Sequence, residues 1–428
     1  MGKMMKKRIL ALYLMLLMGT AVASQTVMVD PYFSPYSGAA NLMTAQDLLI
    51  MGEDRLFPRG GRDSTAKVWG RAAEQFLFWS QLNIMTSVAQ HEIFGHGYRL
   101  RELGVTPKKY TVTPWGGATY FNVKSSFKVG DMLAVVVAGL EAEGILARDL
   151  KMEWMRRGEI DGRLAMTYTQ AEQSLFWYTL ITQLGRLNND EISEGNDIDG
   201  YLKLQNASYI NDNLTMGQLT RWSIFNWLDP MTFYSYYAFF YYIAEGKSWN
   251  FPMIPLGENI RYLPNVKIAY APYAPEAYLE NFFTIHGEPL YFYFKGGKRS
   301  FGTGFAYDHF FQGKRGTVGF RFDGWNQGVF VTPATLEELD ETGEAYRPSL
   351  NKRRWGAALS VTSTLNLNGS IALYTELGGK TSGYLPGYGL DKEVVGRIGL
   401  RFGSNSLRQK METQSRINSV KSKRLSLN

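Results

Sequence analysis

Two histidines, a glutamate and two glycines stand together in HEIFGHG, His91 to Gly97. Imidazole nitrogens bind metal ions at neutral pH, and a nearby carboxylate can take a proton from water. The helix-borne pattern HExxH places its histidines four apart on one face, with the glutamate as base. Here His91 and His96 are five apart. On a regular α-helix five residues turn through about 500°, which would leave the rings about 140° apart. A π-bulge absorbs one residue and would return both rings to one side. Gly95 offers backbone freedom beside His96. The stretch is expected either as a metal site on a π-bulged helix or as two hydrogen-bonded structural histidines.

Around this motif, residues 66–245 carry apolar side chains three and four apart, the helical period. AAEQFLFWSQLNIMTSVAQHEIFGHGYRLREL, VGDMLAVVVAGLEAEGILARDLKMEWMRR and AEQSLFWYTLITQLGRL read as long helices. LTRWSIFNWLDPMTFYSYYAFFYYIAEG reads as two helices broken at Pro230. Their uncharged runs are short for crossing a bilayer. From about residue 266 the period becomes two. GTVGFRFDG sets Val318, Phe320 and Phe322 opposite Gly319, Arg321 and Asp323, and VVGRIGLRFG alternates in the same way. KRG, NLNGS and FKGGKRS read as hairpin turns. An apolar face backed by small and charged residues suits either an outer-membrane barrel or a soluble sheet with one wet face. The polar stretch from Thr332 to Arg354 reads as a long outward loop.

The stretch HEIFGHGYRLRELGVTPKKYTVTPWGGATYF resembles the site-2 protease family of membrane metalloproteases. The matching positions are His91, Glu92, Gly95, His96, Arg99 or Arg101, Gly104, Val105, Gly116 and Gly117. VVVAGLEAEG is similar to that family's Ala-Gly-Pro-x-x-Asn helix through Ala138 and Gly139, with Leu140 in place of the proline and Glu143 in place of the asparagine. FNWLDP is similar to its Leu-Asp-Gly stretch, with Asn226 just upstream and Pro230 where the family has glycine. The resemblance covers about residues 75–235. It implies a Zn2+ ion held by His91, His96 and Asp229, with Glu92 as catalytic base and a peptide or protein as substrate. Asp229 also reads as a helix cap, since it precedes a proline and a helical run. Glu141 and Glu143 compete for the third ligand position, because in another class of zinc peptidases a glutamate on a later helix completes the site. Both also read as partners for Arg148 or Lys151. His286 and His309 lack a carboxylate motif and read as strand or loop residues. No serine elbow, Walker loop or dinucleotide fingerprint is present.

Composition narrows the setting. The chain has no cysteine, which excludes disulfides and thiolate-held zinc. The net charge of +7 comes largely from the two ends. MGKMMKKR followed by ILALYLMLLMGTAVAS has the basic head, apolar core and small residues of an export signal. The body between the ends is near neutral, which gives no support for nucleic-acid binding. The expected order is a signal peptide over 1–24, an N-terminal extension over 25–65, and a helical metallopeptidase-like domain over 66–255. An antiparallel β-domain over 256–404, in sheet or outer-membrane barrel form, and a basic disordered tail over 405–428 complete it. The expected fold class is α+β. The expected function is zinc-dependent peptide hydrolysis by an exported, membrane-associated protein of the bacterial cell envelope. The alternative is a non-enzymatic outer-membrane protein whose helical part is a plug or assembly module.

Overall fold

The computed structural model describes residues 25–57, 64–123, 127–188, 195–209, 212–368 and 370–403. The expected signal peptide and basic tail lie outside the described residues. The chain is α+β, a helical region followed by a large antiparallel sheet. Strand β1, Gln25–Val29, comes first and pairs with the last strand of the chain. Helix α1, Pro35–Leu56, starts where the Ser34 hydroxyl accepts from Ser37 N and Pro35 fills the first turn. Residues 25–57 therefore belong to the folded body.

One unbroken helical run follows, built of α2 (Thr65–Glu74), a π segment (Gln75–Trp79), α3 (Ser80–Ala89), a second π segment (Gln90–His96) and α4 (Gly97–Glu102). The hairpin of β2 (Lys109–Thr113) and β3 (Gly116–Tyr120) packs on this run. Helix α5, Val129–Arg157, ends at Gly158, whose φ of 74° is the left-handed cap that a Cβ would strain. Helices α6 (Ala165–Leu187), α7 (Asp197–Ser208), α8 (Met216–Ser223) and α9 (Pro230–Glu245) complete the helical part.

The strands are β4 (Ile254–Pro255), β5 (Ile260–Ala271), β6 (Ala274–Ile285), β7 (Glu288–Gly297), β8 (Ser300–Gly313), β9 (Gly316–Gly328), β10 (Arg353–Asn366), β11 (Ile371–Lys380) and β12 (Glu393–Phe402). They form one ten-stranded sheet in the order β1-β12-β11-β10-β9-β8-β7-β6-β5-β4, antiparallel throughout. Among the described residues the sheet is open, with β1 and β4 at its edges, and strand pairing does not close it into a barrel. Helices occupy both edges instead. Asn41 and Thr44 of α1 exchange hydrogen bonds of 2.8–3.1 Å with the backbone of Met28 and Thr26 on β1. Beyond the short β4, Asn226 does the same for Ile268 of β5, at 2.6 and 3.2 Å. These amides and hydroxyls satisfy backbone groups that a missing neighbour strand would leave open.

Helices and sheet share a core. Ile145, Leu146, Leu150 and Trp154 of α5 belong to one cluster with Leu263, Tyr278, Phe282, Tyr291, Trp325 and Val395 from the strands. The same sheet face buries charge. Lys267 pairs with Glu172 at 2.7 Å, Lys295 with Glu276 at 3.1 Å and Arg397 with Glu376 at 2.9 Å. The stretch expected as an outward loop departs from that expectation. It contains a short helix, α10 (Leu336–Thr342), and folds back onto the helical part. Val129 N donates to Ala334 O at 3.0 Å, and Ala345 N to Ala207 O at 3.1 Å. Ala334, Ala345 and Leu350 are buried there, so its few apolar residues are what anchor it.

Candidate metal centre

His91 and His96 both lie on the second π segment, Gln90–His96. Hydrogen bonding in i→i+5 steps brings residues five apart to one side, which is the repair the spacing required. The rings meet edge to face, with centroids 4.8 Å apart. Gly95 serves this geometry by its size. A Cβ there would lie 2.6 Å from Ala138 O and 2.7 Å from Gly139 Cα, so its hydrogen lets the π segment sit directly against α5. Gly139 does the same from the other side, where a Cβ would fall 2.3 Å from His91 Nε2. Gly139→Ala is expected to push the His91 ring aside and lower metal affinity at least about tenfold, with helix content unchanged by circular dichroism. Titration with zinc against a competing chelator measures it.

The third member of the cluster is Asp197, the first residue of α7. Its Oδ2 lies 3.0 Å from His91 Nε2 and 3.2 Å from His96 Nε2, and the two Nε2 atoms are 3.1 Å apart. The far side of each ring is held. His91 Nδ1 is 3.1 Å from Glu143 Oε2, and Ser87 Oγ donates to the other oxygen of Glu143 at 2.9 Å. His96 Nδ1 is 2.7 Å from Val135 O. A carboxylate and a carbonyl can only accept, so this network assigns a proton to each Nδ1 and turns each Nε2 toward Asp197, where it donates as an imidazolium or offers its lone pair to a cation that displaces the proton. These three possible ligand atoms form a nearly equilateral triangle. A tetrahedral zinc with bonds of about 2.0–2.1 Å sets neighbouring ligand atoms about 3.3 Å apart. The triangle fits a small cation without rearrangement.

The surrounding carboxylates make the pocket favourable to positive charge. Burial opposes charge on His91, but the Glu143 and Asp197 carboxylates outweigh it and hold its pKa well above the ordinary histidine value. Burial likewise opposes charge on His96, and Asp197 outweighs it. Burial would raise the Asp197 pKa, yet His96 and His91 hold it below the usual carboxylate range. The carboxylates of Asp197, Glu143 and Glu92 stabilise positive charge at the centre, while His91 opposes a second charge on His96.

Glu92 sits beside the cluster, buried, and close enough to act on His96 electrostatically. Thr119 Oγ1 of β3 donates to its Oε2 at 2.7 Å and to its backbone carbonyl at 3.0 Å. Gly117 leaves room for this, since a Cβ there would lie 2.6 Å from Glu92 Cγ. Tyr178 of α6 accepts the Asp197 N–H at 3.0 Å and so ties α6 to the start of α7.

The structure distributes the other candidates differently from the sequence reading. Asp229 does not join the histidines. It is fully buried, accepts from Lys151 Nζ at 2.9 Å and from the Tyr168 hydroxyl, and caps α9 through Met231 N. Pro230 in the first helical turn commits its backbone to that cap. Glu141 pairs with Arg99 at 3.2 Å and accepts from Gly387 N. Glu143 orients His91 and accepts from Ser87, and its hydrogen bonds among the described residues do not go to Arg148 or Lys151. Asn226 serves the sheet edge. Asp197 went unread in the sequence, because GNDIDG shows only an acidic helix start. Its partners lie about a hundred residues upstream, and no spacing rule reaches that far.

No protein-family model, no curated protein and no solved structure matches this chain.

Proposed function

We propose that the chain is a zinc-dependent peptide hydrolase of the bacterial cell envelope, with His91, His96 and Asp197 as ligands. The observation that carries this reading is the three-atom triangle with Glu92 next to it. Two imidazoles and one carboxylate leave a tetrahedral ion one open position, the arrangement of hydrolytic rather than structural zinc. Zinc bound there would supply Lewis acidity toward a carbonyl and lower the pKa of water. The chain's own residues do the rest. Glu143 and Val135 O fix the imidazole tautomers. Glu92 accepts the proton of the attacking water and returns it to the leaving amine. Thr119 keeps the Glu92 carboxylate oriented by donating to one oxygen and leaving the other free. A peptide is the favoured substrate because a base on the same helix as two ligands suits attack on an amide carbonyl.

The test is elemental mass spectrometry of the purified full chain together with cleavage of denatured casein. About one zinc per chain is expected, with cleavage lost on chelation and restored by zinc. Absence of zinc after reconstitution, or cleavage indifferent to chelation, would overturn the reading.

A further inference from the structure

The outer surface of the sheet reverses the usual arrangement. Along β6 and β7 the buried positions include Glu276, Glu280, Thr284 and Lys295 beside Tyr278, Phe282, Tyr291 and Tyr293, while Leu279 and Phe294 are exposed. The ladder Phe292, Phe305, Phe322 and Leu359 runs in direct register across four strands on that outer side. Leu377 is 65 % exposed and Val394 86 %. Water favours the opposite pattern, because exposed apolar area costs free energy and buried charge must be paired. The apolar surface does not stop at the sheet edges. On α6, Trp177, Ile181 and Leu184 follow the four-then-three spacing of one helix face and are exposed. On α9, Phe233, Tyr237 and Phe240 do the same. Among the described residues no helix is long and apolar enough to cross a membrane alone.

We infer that the outer sheet face and the outer faces of α6 and α9 form one lipid-facing belt, in which helices close a barrel that the strands leave open. The occupant is the acyl region of a phospholipid bilayer. Three observations favour lipid over a second copy of this chain. The strands from β5 to β12 have 10–14 residues, and a tilted strand needs about 9–11 to cross the hydrocarbon core. Aromatic groups mark both ends of the central strands, with Phe301 against Trp355 at one end and Phe310 and Phe311 around Phe320 at the other. Phe301 pairs with Asn326 and Phe311 with Val318, so eight steps of β9 separate the two aromatic groups, about 26 Å of strand or about 19 Å at a tilt near 45°, which falls within a belt of about 25 Å. The third observation is the seam. Asn41, Thr44 and Asn226 satisfy the edge strands where helix meets sheet, so open backbone is covered at the places where lipid would meet it.

This inference deepens the envelope part of the proposed function and does not depend on the hydrolytic site. The chain lacks cysteine, so single cysteines can carry spin labels in the full-length protein. The variants are Ile181→Cys, Phe240→Cys, Phe322→Cys and Leu377→Cys, with Glu341→Cys as a solvent reference, in phosphatidylcholine–phosphatidylglycerol vesicles. Circular dichroism of each labelled protein checks that it folds. Labels on helices and strands are expected to collide with oxygen and be shielded from a nickel chelate, and the reference label to do the reverse. Nickel access at Ile181 and Phe240 with shielding at the strand positions would overturn the helical half of the belt. Nickel access everywhere would overturn the belt. Shielding from both reagents would assign the surface to a protein partner and overturn it equally. Zinc content and casein cleavage are separate readouts, so failure of the hydrolase reading would not mimic any of these results.

Discussion

Glu92→Gln should abolish turnover while leaving zinc in place. Glutamine keeps the size of the side chain and can still accept from Thr119 through its amide oxygen. It cannot take a proton from water. Loss of a positioned general base lowers rate by about 10²–10⁴-fold. Zinc stoichiometry should stay near one, because Glu92 is not in the triangle of His91, His96 and Asp197. The measurement is casein cleavage beside elemental analysis of the same samples. Cleavage equal to wild type would remove Glu92 from the chemistry. Zinc lost together with activity would mean that Glu92 is a ligand or a support for one.

The second large effect separates two aspartates. Asp197→Asn should lower zinc affinity by more than about 100-fold, beyond what an outer hydrogen-bond partner is worth. It removes the one negative ligand of the triangle and the charge that balances two buried imidazoles. Asp229→Asn should leave zinc affinity unchanged and cost about 3–5 kcal/mol of stability, because it strands the buried Lys151 ammonium. Zinc titration and denaturant unfolding of both variants decide the matter. If Asp229→Asn lost zinc while remaining folded, the family-based assignment of the third ligand would regain its place.

The motif and the strand pattern were legible for local reasons. His91, Glu92 and His96 lie within six residues, and helical geometry alone states what five-residue spacing requires. Alternation in GTVGFRFDG and VVGRIGLRFG likewise reports which side chains share a face, because side-chain direction in a strand depends only on position. The α+β class and the break at Pro230 follow from the same short-range rules.

Tertiary structure decided what those rules cannot reach. Asp197 meets the histidines because α7 packs on α5, which also holds Glu143 against His91. Asp229 had the better sequence credentials, yet it spends its charge on Lys151 and its backbone on a cap. Whether apolar strand faces point inward or outward is also not a property of the strand. It depends on which side the helices cover. Here they cover the charged side, supply partners such as Glu172 for Lys267, and leave the apolar side exposed. The open sheet has the same cause. Strand count and alternation say nothing about closure, while Asn41, Thr44 and Asn226 occupy the edges only because chain segments far apart in sequence arrive there together.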